Sequence, residues 1–121
     1  MSKKANQSYD FLIFQELIYE YAPVMQAETE AKIKRRLKYY NLGPYRQERV
    51  DHIRMLRNEL ANEIKLLTRS KYYNKTPSVY AKMEDFDVSQ MVIDYTSNYP
   101  LLSSADLREM IGWGVHMLYT R

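Results

Sequence analysis

Cysteine is missing altogether from the 121 residues. Its absence removes disulfides, iron–sulfur clusters, thiolate zinc sites and cysteine nucleophiles together. Three glycines and four prolines leave too few tight turns for a many-stranded β fold. No apolar run approaches the roughly 18–20 residues of a membrane span. The opening Met1-Ser2-Lys3-Lys4-Ala5-Asn6-Gln7 is basic but lacks the apolar core and cleavage site of a signal peptide. A cytoplasmic protein with no membrane contact is expected. Catalytic signatures are scarce as well: no glycine-rich phosphate loop occurs, and no H-E-x-x-H, G-x-S-x-G or EF-hand pattern. The two histidines, His52 and His116, are too far apart in the chain to offer metal-ligand spacing. No catalytic residue, metal or cofactor is expected, so function should rest on binding.

What the chain does have is helical periodicity, and the expectation is an all-α bundle of about four to five helices in a single domain, residues 1–7 being a flexible lead. Ser8 is placed to cap a first helix carrying Phe11, Phe14, Leu17, Ile18 and Tyr21, which Pro23 should end or kink. A second helix should run from Val24 to about Tyr40, with Ile33, Leu37 and Tyr40 as a narrow apolar stripe. Asn41-Leu42-Gly43-Pro44 follows it as a stop-and-turn signal. A long central helix over about Tyr45–Ser70 is marked by Val50, Ile53, Leu56, Leu60, Ile64 and Leu67 at three- and four-residue steps. It would serve as a strut or as half of a homodimer seam. Residues 71–78 read as a loop, with a helical turn over 79–83. Asp85 or Asp87 then caps a fourth helix, and Ser103 or Ser104 a last one. Two glycines flank Trp113 inside that last helix, and Gly114 on its apolar face suggests close approach of a neighbour.

Charge is segregated along the chain. Residues 31–76 hold thirteen basic and four acidic side chains, a net of +9, between flanks that each carry a net of −3. Two physical outcomes compete. The acidic flanks fold back and neutralise the middle, leaving surface pairs of small individual worth. Otherwise the middle stays open and attracts a polyanion. Five cations within Lys32–Lys38 repel one another and are hard to cover from one side, which favours the second outcome. Lys32, Lys34, Arg35, Arg36 and Lys38 are thus the expected phosphate contacts, with Arg46, Arg69, Lys71 and Lys75 extending the patch.

Twelve tyrosines against three phenylalanines and one tryptophan sharpen this expectation. Tyr39 directly follows the basic run, and Tyr72 and Tyr73 sit between Lys71 and Lys75 in the expected loop. Rings beside cations can stack on unpaired bases while the cations hold the backbone. Arg57 falls on the apolar side of the long helix, where its guanidinium must snorkel, pair with a carboxylate such as Glu16 or Asp94, or make a contact across an interface.

In size and in its richness in Lys, Tyr, Asn and Ile, the chain resembles the small regulators carried by phages and mobile elements of AT-rich bacteria, though no defined motif carries that likeness. The partner expected is a nucleic acid or a nucleoprotein. The alternatives are an inhibitor or adaptor that presses the basic run into an acidic protein surface of a host nucleic-acid enzyme, in an anti-CRISPR-like role, and a homo-oligomeric structural module.

Overall fold

The computed structural model describes residues 8–20, 22–66, 69–73 and 86–119. Lys75, Leu67, the turn expected over 79–83 and the first seven residues lie outside them. Among the described residues five α-helices are formed: α1 (Tyr9–Leu17), α2 (Gln26–Tyr39), α3 (Gln47–Lys65), α4 (Val88–Asn98) and α5 (Ser104–Tyr119). The described residues contain no strand, only an isolated antiparallel bridge between Tyr73 and Phe86. The all-helical class expected from periodicity is the observed one. Backbone packing divides the chain into two compact units, Met1–Met55 and Leu56–Arg121, with the boundary inside α3.

In the first unit, α1 packs against α2. Ser8 accepts the Phe11 N–H in its hydroxyl and so satisfies one of the open donors at the start of α1. Leu12, Ile13, Phe14, Leu17 and Ile18 are all fully buried, which is why a helix of nine residues holds without a strong polar face. It stops at Leu17, well before Pro23. Tyr19 and Glu20 donate their N–H groups to the carbonyls of Glu16 and Leu17 in three-residue turns, and the tightened chain turns Glu20 inward to meet Arg54. Pro23 instead opens a single 3-10 turn, Pro23–Met25, at a position where its missing N–H has no helical partner to lose.

The end of α2 is a Schellman closure. The Asn41 N–H reaches the Lys38 carbonyl and the Leu42 N–H the Leu37 carbonyl. The left-handed residue is Asn41, at φ 55°, and not the glycine that composition nominates. Asparagine tolerates that region because of its short polar side chain. Gly43, at φ 122°, then redirects the chain, and the Tyr9 hydroxyl donates to the Pro44 carbonyl at 2.6 Å.

α3 buries Val50 and Ile53 in the first unit, and Leu56, Leu60 and Ile64 in the second, the positions its periodicity marks. It ends at Lys65 rather than near Ser70. Leu66 closes a three-residue turn onto the Glu63 carbonyl, and the Ser70 hydroxyl donates to the Glu63 carboxylate while accepting the Tyr72 N–H. Such local side-chain bonds compete with continued helix. In the second unit α4 packs against α5. Asp87 caps α4 by accepting the Gln90 N–H, and the Ser103 hydroxyl accepts the Asp106 N–H at the start of α5. No helix of the described residues is long and apolar enough to cross a membrane.

Candidate nucleic-acid interface

The basic run lies on α2, whose inward side is defined by the buried residues Thr29, Ile33 and Leu37. At 100° per residue, Ala27, Glu28, Ala31, Lys32, Lys34, Arg35, Lys38 and Tyr39 share the opposite arc, and every one of them is exposed. Four of the expected contacts, Lys32, Lys34, Arg35 and Lys38, therefore share one face with Tyr39. Glu28 is the only carboxylate on that arc. Ala27 and Ala31 keep it low, so a ligand backbone can approach closely. Lys34 also rests its ammonium 4.8 Å from the ring centre of Tyr45, which joins the segment carrying Arg46 to this face.

Arg36 is the exception within the run. Its Nη1 donates to Glu16 Oε2 at 2.8 Å and reaches Gln15 Oε1 at 3.5 Å, and its guanidinium lies 5.5 Å from the Tyr40 ring centre. The sequence places it among the phosphate contacts, whereas the fold engages it with α1. Its position one turn from the buried stripe brings it within reach of a carboxylate twenty residues earlier.

The same masking recurs along α3. Arg49 bonds Asp10 at 3.0 Å. Arg54 bonds Glu20 at 2.8 Å, Glu30 at 3.3 Å and Asp51 at 3.4 Å, with Gln47 donating to both Glu30 and Asp51. The bonds from Glu20 hold the Arg54 guanidinium above its usual range against the opposing effect of burial. Tyr45 beside this cluster is pushed up to about 12, first by burial and then by Glu30. Burial lowers His52, with the Arg49 charge adding to the effect. The N-terminal acidic flank thus folds back on Arg36, Arg49 and Arg54 and leaves the outer face of α2 uncovered by any ion pair among the described residues. Masking by the acidic flank applies to Arg36, Arg49 and Arg54, whereas Lys32, Lys34, Arg35 and Lys38 stay exposed.

Arg46 is exposed and lines an open cleft of about 310 Å³ with Tyr9, Asp10, Leu42, Pro44 and Arg49. Arg69, Lys71, Tyr72 and Tyr73 belong to the second unit. Arg69 and Lys71 are exposed there, and Lys71 lies 5.2 Å over the Tyr72 ring.

Tyr72 departs from expectation. Instead of standing in a loop ready to stack, it is buried, donates its hydroxyl to Asp94 at 2.6 Å and packs edge-on against Tyr95. Burial and that bond both push its hydroxyl pKa up, and the same bond holds Asp94 low. Tyr73 is half-buried with its ring edge-on to Phe86. A stretch without periodicity gave no sign that it anchors the second unit. Arg57 is half-buried and bonds Asn58 through Nη1. Sequence reasoning did not single out Glu16, Asp10, Glu20 and Glu30 as the groups that choose which cations stay open; only the charge alternation of the flanks hinted at them.

Among the described residues no group of three or more histidine, aspartate or glutamate side chains is gathered to hold a metal ion. No protein-family model, curated protein or solved structure matches this chain.

Proposed function

We propose that this is a non-enzymatic binding protein that contacts nucleic acid through the outer face of α2. The observation that carries the reading is the exposed row Lys32, Lys34, Arg35 and Lys38, opposed by one carboxylate and free of ion pairs among the described residues. Cations held this close on a rigid helix form a field that a phosphate backbone satisfies, with release of its condensed counterions. Surface pairs would have dissipated that field, and the fold spends its acidic groups elsewhere.

The test is a titration of labelled oligonucleotide at several salt concentrations. Four phosphate contacts on a single strand give a slope of log affinity against log salt on the order of −3. Lys34→Glu, Arg35→Glu and Lys38→Glu combined should flatten that slope and abolish most of the binding while leaving helicity intact. Affinity that stays level across salt would redirect attention to an acidic protein surface, and a partner retained through nuclease treatment would identify it.

A further inference from the structure

Resting on that reading, we infer that the strand bound at α2 is single-stranded and that Tyr39 is its base-stacking platform. Tyr39 is 65% exposed, so its ring is not spent on the core. It is nevertheless held in place. Tyr40 meets it edge-on, with ring centres 4.9 Å apart at 86°, Arg36 caps the Tyr40 ring, and Glu16 fixes Arg36. A chain of contacts from α1 thus ends in an exposed aromatic ring at the end of the cation row. A ring ordered beforehand loses little freedom when a base settles on it.

The position along the helix points the same way. Tyr39 is the last residue of α2 and carries no charge, whereas Lys32, Lys34, Arg35 and Lys38 on the same face are cations. Phosphates therefore belong beside Lys32, Lys34, Arg35 and Lys38, and the base belongs on Tyr39. Lys32 to Tyr39 spans about 10 Å of helix, so the cation row and the ring can engage one short stretch of strand. A duplex keeps its base faces stacked inside and cannot offer one to the ring, whereas an unpaired strand can.

The experiment compares three fluorescein-labelled probes on the full chain: a thymidine 12-mer, an abasic strand of equal length and charge, and a 12-base-pair duplex. The thymidine strand should bind tightest. Tyr39→Ala should weaken it about tenfold or more and leave the abasic strand unchanged, and Tyr39→Phe, which keeps the ring, should restore it. Equal binding of the thymidine and abasic strands, or tighter binding of the duplex, would overturn the stacking inference while the phosphate-binding role stands. Failure of all three probes to bind would remove both.

Discussion

Three tyrosines of the second unit show how much depends on one hydroxyl. Tyr72, Tyr95 and Tyr99 are all buried, and in each case burial is the first cause that raises the hydroxyl pKa. Tyr72 donates to Asp94 and Tyr99 to Glu59, but the Tyr95 hydroxyl has no hydrogen-bond partner among the described residues. A buried donor without a partner carries its full desolvation cost, so deleting it should do no harm. Tyr95→Phe is expected to leave stability level or raise it, whereas Tyr99→Phe should lower it by about 1 kcal/mol and Tyr72→Phe should also lower it. Urea unfolding of the three variants orders them, and a loss for Tyr95→Phe as large as for Tyr99→Phe would contradict the assignment. The sign with pH follows from the same groups. Folded values above 10 mean that the tyrosines' contribution is complete below pH 10 and is lost as pH rises beyond it. Asp94, held below its usual 3.8, contributes above that value and stops contributing as pH falls through its folded value.

Among the elements, Arg54 is the tie that brings the turn after α1, the body of α2 and the first turns of α3 together. It is 12% exposed and Glu20 8%, so removing the guanidinium strands a carboxylate out of water. Arg54→Ala is expected to cost about 3 kcal/mol, read as a lowered unfolding midpoint. Arg54→Lys should recover only part of it, because an ammonium cannot bond both Glu20 oxygens as the guanidinium does. Little of this tie was legible in the sequence, because ion pairs between residues 34 apart leave no periodic trace. The helices were legible, since Ile33 and Leu37 or Leu56, Leu60 and Ile64 repeat at the spacing that burial on one side imposes. Caps such as Ser8 and Asp87 were legible for the same local reason. Tyr72 was not, because a residue that anchors a turn through one distant carboxylate looks like any loop tyrosine. Arg35 and Arg36 could not be told apart either: one step around the helix separates an open cation from an engaged one.

For the molecule as a whole, a net charge of +3 conceals a division of labour among cations. The acidic N-terminal flank neutralises Arg36, Arg49 and Arg54, and what it leaves uncovered sets the strength of any polyanion contact. On the proposed function, the binding strength should be adjustable from α1, away from the outer face of α2. Glu16→Gln removes the carboxylate that holds Arg36, and Arg36 lies one turn after Lys32 on the same side of α2. The released guanidinium can then join the row as a fifth contact. Binding of the abasic strand, which makes no use of the Tyr39 ring that Arg36 helps to hold through Tyr40, is expected to tighten, with a salt slope steeper by roughly 0.7, the increment of one phosphate. Arg36→Gln in the otherwise unchanged chain should weaken binding of the same abasic strand far less than Lys38→Gln, because Arg36 is already engaged. Equal losses from Arg36→Gln and Lys38→Gln, with helicity preserved in both, would mean that the pair with Glu16 opens when the strand arrives. Nucleic acid would then compete with the acidic flank for the same cation, and Glu16→Gln would measure the strength of that competition.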